Sequence, residues 1–186
     1  MFDVDREAIT DGPVGRVLLV LAAPLVAQNV VYVANALIDT FWLGRVGEDA
    51  VAAVGLSLPI QSLLGATVVI GAVGTQILVA QRAGDEDESG ARRVAVNGAL
   101  VALLVTAAVA LPVVRYAEGL VRLLGADPAL AGTTATYLAV VVAVLPVGAV
   151  GDTVENCFTA YGDTRAVFHV TLVSVLVNLV AAPTLI

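Results

Sequence analysis

Five apolar runs, each long enough to cross a bilayer, take up nearly the whole chain: residues 14–43, 51–80, 94–114, 130–161 and 166–186. About 20 mainly apolar residues suffice for a helix to span the hydrocarbon core of a membrane. With 59% hydrophobic residues and a mean hydropathy of +0.96, the chain belongs to lipid rather than to water. Inside lipid every backbone N–H and C=O has to be satisfied by the segment itself or by a closed sheet, which leaves helices and barrels. The runs are continuous, without the alternation of a membrane barrel's roughly ten-residue strands. The expected fold class is therefore all-α, a polytopic bundle of about five transmembrane helices forming a single lobe over residues 1–186. The first run is also far longer than the roughly 7–15 residues of a signal peptide's apolar region, so this helix is expected to be retained.

The charges orient the bundle. All nine basic residues are Arg, and six of them (Arg6, Arg16, Arg82, Arg92, Arg93 and Arg165) fall on one side of the alternating spans, against Arg45, Arg115 and Arg122 on the other. The positive-inside rule then expects a cytoplasmic N-terminus in a multi-pass protein of the cell membrane. Five spans would leave the C-terminus outside, and the stop at Ile186 without a soluble tail is what an incomplete transporter would show. The 16 acidic residues concentrate in exposed clusters such as Asp85, Glu86, Asp87 and Glu88 and in the N-terminal segment. Together with the absence of Lys, this fits a salt-rich cytoplasm. No basic patch or soluble domain offers a nucleic-acid surface. The single Cys157 excludes an intrachain disulfide, His169 reads as interfacial, and no G-x-S-x-G, H-E-x-x-H or Walker sequence suggests an enzyme.

Function has to come from the polar residues that interrupt the apolar runs. Gln28, Tyr32, Asn35 and Asp39 are spaced i, i+4, i+7 and i+11, so they line one face of the first helix. An ionised acid at the centre of a membrane helix costs about 2.5–3.5 kcal/mol on insertion scales, and such residues mark cavities, pathways or relays. The fourth run adds Asp152 and Glu155, three apart, with Tyr137 eighteen residues before Glu155 and so five whole turns away. Thr171, Ser174 and Asn178 stripe the fifth run, and Ser57 and Gln61 lie on the second. These faces are expected to enclose a wet, negatively charged chamber with cations as guests. A carboxyl group short of water and close to like charge holds its proton more tightly, which allows proton exchange. Alternatively, Asp39 and the Asn178 carbonyl supply the oxygens that a hard cation such as Na⁺ prefers, by extension from the divalent case. Proton and sodium both stay open.

Ile38-Asp39-Thr40-Phe41-Trp42-Leu43-Gly44-Arg45, followed by Ala52-Ala53-Val54-Gly55-Leu56, resembles the first helix and following loop of the multidrug and toxic compound extrusion (MATE) family. Gly74-Thr75-Gln76, Ala80-Gln81-Arg82-Ala83-Gly84, Leu123-Leu124-Gly125-Ala126-Asp127-Pro128, Tyr137-Leu138, Gly162-Asp163-Thr164-Arg165 and Asn178-Leu179-Val180 resemble further landmarks in the same order. The resemblance implies the N-terminal lobe of a secondary antiporter that exports organic cations or drugs while H⁺ or Na⁺ enters, with no cofactor beyond the coupling ion. It implies ion coupling at Asp39 and Asn178, and a substrate cavity that includes Gln28, Asn35, Tyr137, Asp152 and Glu155. Partners would be the organic substrate, the lipid bilayer and a second transporter lobe. One departure is Ala182, where related members carry a second acid before the proline; Asp152 or Glu155 is the expected substitute. Two alternatives stand beside this reading: a split product that is inactive without its other lobe, and a lipid-linked sugar flippase of the same superfamily, whose cavities are usually more basic.

Overall fold

The computed structural model describes residues 14–185, with side chains described from Leu18 to Leu179 apart from 20 and 21. Among the described residues there are six helices and no strand: α1 Val14–Val46, α2 Glu48–Gly84, α3 Glu88–Arg115, α4 Ala117–Leu123, α5 Pro128–Ala160 and α6 Thr164–Leu185. The five long helices overlie the five apolar runs. Most outlast them by a few residues, because backbone hydrogen bonding continues into the polar segments at the membrane surface. α2 has 37 residues and a length of about 55 Å, well beyond the roughly 30 Å of hydrocarbon. Among the described residues, α2, α3 and α5 are long and apolar enough to cross a membrane. Between the third and fourth runs lies the short helix α4, with Leu123 exposed at its end.

Residue contacts divide the chain into two compact units, Leu43–Tyr161 and the flanking segments up to Trp42 and from Gly162. In the first, α5 packs along both α2 and α3, α2 packs along α3, and α4 lies against α5. Its core joins Leu64 of α2, Ala110 of α3, Val121 of α4, and Leu138 and Val142 of α5. A second cluster joins Val68, Ala102 and Ala149 of the same three long helices. The packed faces are made largely of small residues. On α2 the buried set includes Ala53, Ser57, Ala72, Thr75 and Ala83, and on α5 it includes Ala131, Thr134, Ala149 and Thr153. Leu63, Ile70 and Leu104 point outward. This reverses the pattern of a water-soluble protein, since lipid accepts large apolar side chains and close backbone approach favours small ones. α3 is the least covered of the three within this unit.

The turns explain several of the sequence landmarks. After α4, Gly125 takes φ 91°, its N–H donates to the Arg122 carbonyl, and the Ala126 N–H reaches back to Val121, closing the helix in a Schellman turn. Asp127 then caps α5 by accepting the Ala129 N–H at 3.0 Å, with Pro128 in the first turn. Asp163 accepts the Ala166 N–H at 3.0 Å at the start of α6. Asp87 caps α3 through the Gly90 N–H at 2.8 Å and also accepts the Ser89 hydroxyl. These two bonds, the backbone one first, hold the Asp87 carboxyl below the ordinary carboxylate range, with Arg82 and Arg93 adding smaller attraction.

Because its pKa is lower in the folded protein, the Asp87 cap contributes stability above the ordinary carboxylate pKa and loses it as pH falls through the lowered value. The stability difference between wild type and Asp87→Ala, read from unfolding in detergent, should be constant near neutral pH and shrink in acid. A second test concerns Gly98 of α3, where a Cβ would collide with the Thr75 side chain of α2. Gly98→Ala should destabilise by about 1–3 kcal/mol through overpacking. Gly132→Ala on α5, where nothing lies within 4 Å of the added methyl, should be neutral or stabilising by about 0.4–1 kcal/mol.

Candidate functional site

The stripe on the first helix is built as its spacing demands, and it works at two levels. At the deeper level, Gln28 is buried and its Nε2 donates to the Thr171 Oγ1 of α6 at 2.9 Å. The Tyr32 hydroxyl lies 3.4 Å from the same oxygen. These contacts tie α1 to α6 across 143 and 139 residues of sequence, within one compact unit. Two turns further along the same face, Asn35 Nδ2 donates to Asp39 Oδ2 at 3.0 Å. The remaining oxygen of that amide, Asn35 Oδ1, is buried and has no partner among the described residues; Asn178 Oδ1 on α6 is in the same condition. A buried polar atom left unpaired costs roughly 1–3 kcal/mol, so two such oxygens in a unit that also carries Asp39 are candidates to receive a ligand.

Of the acids expected to face the wet chamber, Asp39 and Asp152 are exposed and Glu155 is half-buried. The described elements leave these carboxylates accessible, because apolar runs on both sides of an acid do not fix which side of the helix is covered. On α5, Asp152 and Glu155 share a face one turn apart, and neither carboxylate accepts a hydrogen bond among the described residues. Asn156 Nδ2 donates to the main-chain oxygen of Asp152 at 2.8 Å. Tyr137 is half-buried on the same helix, which runs unbroken through the buried Pro146. Tyr137, Asp152 and Glu155 belong to the unit Leu43–Tyr161; Gln28, Asn35, Asp39 and Asn178 belong to the other.

Other polar residues satisfy themselves. Gln61 Nε2 donates to Ser57 Oγ at 2.7 Å, and Ser57 donates to the Val54 carbonyl at 2.7 Å. Ser174 bonds back to the Val170 carbonyl at 2.9 Å. His169 is exposed, as an interfacial residue would be, with its ring edge-on to Phe168. Position 182 lies outside the described side chains. One residue escaped the sequence reading: Thr134 is fully buried and its Oγ1 has no partner among the described residues. Its signal was its register, since 131, 134, 138, 142, 146, 149 and 153 form one continuous buried face of α5.

Residues 24–184 match the MatE family model. The chain is 31% identical over 165 residues to a Pseudomonas putida protein described as "Probable multidrug resistance protein NorM", a match covering 88% of this chain and 35% of that protein. It is 23% identical over 188 residues to a protein of Shewanella oneidensis described as "FAD transporter", covering 98% of this chain and 40% of the relative. The chain thus spans 35–40% of the length of these curated relatives. Among solved structures it shares the fold of an outward-facing multidrug resistance MATE family transporter of the MOP superfamily, with a TM-score of 0.81 and 24% identity, over 88% of this chain and 36% of that one. A MOP superfamily transporter from Pyrococcus furiosus, described as having a binding pocket of reversed polarity, matches equally, with a TM-score of 0.81 and 24% identity over 88% and 36% of the two chains.

The Gln28 to Thr171 bond gives the site its own test. Gln28→Leu and Thr171→Val should each destabilise by about 1–3 kcal/mol, since each strands a buried polar partner. The double variant should cost less than the sum of the two, leaving a coupling energy of about 0.5–3 kcal/mol in a double-mutant cycle on unfolding in detergent.

Proposed function

We propose, starting from the fact that this chain belongs to the MatE family, that it is the first part of a secondary antiporter exporting organic cations or drugs in exchange for H⁺ or Na⁺. The family is one of membrane transporters with multidrug-efflux members, not of enzymes. The observation that carries the coupling proposal is the Asn35 to Asp39 bond, together with the spare amide oxygens of Asn35 and of Asn178 in the same compact unit. An incoming cation changes the energy of this group in either of two ways. A proton neutralises the Asp39 carboxylate and turns it into a donor that an amide oxygen accepts. A sodium ion instead takes the carboxylate and amide oxygens together as hard ligands. Either event removes a negative charge whose presence in an apolar helix is expensive, and so makes the occupied and empty states prefer different surroundings.

Asp152 and Glu155 have a separate role in this proposal. Their unbonded carboxylates attract the positive charge of the substrate, and Tyr137, five turns away on the same helix, supplies an aromatic surface at a separate point along the path. A lipid-linked sugar phosphate would meet repulsion from the same acids, which favours the exporter over the flippase reading. Since the chain spans about a third of its relatives' length, the proposal includes a second helical lobe that completes the transport path. It also places the protein in the cell membrane with the Arg-rich ends of the helices in the cytoplasm.

The test is efflux of a fluorescent organic cation under separately imposed Na⁺ and pH gradients. Asp39→Asn should reduce coupled efflux at least tenfold. Asn178→Ala should raise the Na⁺ concentration needed for half-maximal efflux if sodium couples, and leave a pH-driven response in place if protons do. Asp152→Asn and Glu155→Gln should raise KM for a cationic substrate without changing which gradient drives it. Undiminished gradient-driven efflux in Asp39→Asn would overturn the assignment.

A further inference from the structure

At the end of the Leu43–Tyr161 unit where α3 begins and α5 finishes, the two helices part and leave an apolar groove of about 370 Å³. That volume lies within the roughly 300–1,000 Å³ of small-molecule clefts. Ala95 and Ala99 of α3 and Phe158 and Tyr161 of α5 are among the residues that line it. Arg92 stands at its rim, one turn into α3. The other arginines of this unit whose contacts are described have their own partners. Arg82 pairs with Asp87 at 3.3 Å, Arg122 pairs with Glu118, and Arg115 lies over the Tyr116 ring. Arg92 makes no ion pair or hydrogen bond among the described residues, not even with Glu88 one turn earlier.

An unpaired guanidinium beside a greasy slot matches the two halves of a membrane lipid, and we propose that the groove holds a phospholipid, its phosphate on Arg92 and one acyl chain along Ala95 and Ala99. Two features favour a lipid over a free phosphate. Asp85, Glu86, Asp87 and Glu88 crowd this end of the unit, and their repulsion would turn away a small mobile anion. A phosphate already carried by an acyl chain is held in spite of them, because the chain gains the apolar groove. Depth also agrees: Tyr161 caps α5, and aromatic residues of this kind collect at the headgroup level, where Arg side chains find phosphates. The groove opens beside α3, the least covered of the three long helices of this unit, so an acyl chain enters from the bilayer without crossing water. Arg is suited to this contact because its planar fork bonds a phosphate through two N–H groups at once.

The experiment uses the full chain in mild detergent, stripped of lipid and then given a single phospholipid species, with retention read by native mass spectrometry. Arg92→Ala should weaken retention about tenfold, the factor for losing one charge-assisted hydrogen bond, and Arg93→Ala, beside it but not lining the groove, should leave it unchanged. Ala95→Trp, which fills the slot while keeping Arg92, should also lose the lipid, and a diacylglycerol of the same chains should not be retained. Cys157, the single cysteine and a half-buried part of the lining, gives a readout that needs no variant. Its modification by N-ethylmaleimide should be several-fold slower with phospholipid bound than in stripped protein. Equal losses in Arg92→Ala and Arg93→Ala, or equal retention of diacylglycerol, would overturn the phosphate contact. A Cys157 equally slow without lipid would mean that protein fills the groove, and would overturn the proposal as a whole.

Discussion

Apolar helices in lipid have no hydrophobic force drawing them together, since a neighbouring acyl chain is as good a contact as a neighbouring leucine. What holds each unit of this chain is therefore close approach and the occasional buried hydrogen bond. Gly98 against Thr75 shows the first, with no room between α2 and α3 for a single methyl group. Gln28 on Thr171 shows the second, a bond that closes α1 onto α6. The small residues along α2 and α5 follow from the same constraint, because only they let backbones come close enough for dispersion to add up.

That constraint also separates structural from functional polarity. A hydroxyl on a membrane helix can return its proton to a carbonyl one turn back, and Thr75, Thr106, Thr136, Thr153 and Ser174 all do so. Such a residue needs nothing from outside. Carboxamides and carboxylates have too much bonding capacity to be absorbed this way. Asn35 spends its N–H on Asp39 and keeps a bare oxygen, Asn178 has a bare oxygen of its own, and the carboxylates of Asp152 and Glu155 accept nothing among the described residues. The unused capacity, not polarity as such, distinguishes the candidate site from Ser57, whose hydroxyl donates to the Val54 carbonyl and accepts from Gln61.

The helices were legible because the length of an apolar run is itself the signal. Residues 51–80 lie inside Glu48–Gly84, and residues 94–114 inside Glu88–Arg115. The stripe on α1 was legible too, since polar residues four and seven apart in an apolar helix cannot hide their period. The covered faces were not. A helix that is apolar all round carries no amphipathic pattern to say which side meets protein and which meets lipid. What the exposed Asp39 and Asp152 face therefore does not follow from their neighbours in sequence. Thr134 was missed for the complementary reason: it counts as an ordinary small residue until the seven-position face of α5 is seen to run through it.

Arginine placement carries the remaining step. Read as a count, the arginines speak only of orientation, six on one side and three on the other. Read with their contacts, Arg82 and Arg122 are paired to carboxylates of the protein, whereas Arg92 makes no ion pair or hydrogen bond among the described residues. Arg82 and Arg92 sit at the same end of the same unit, on either side of the turn between α2 and α3, yet Arg82 is bound to the cap that starts α3 while Arg92 faces an apolar slot. A cation that merely helped to fix orientation would do so equally well when paired to a loop carboxylate, four of which are within reach in sequence. Leaving it unpaired beside a groove places its charge where a headgroup phosphate lies, so that the surrounding bilayer becomes part of how this end of the unit is held.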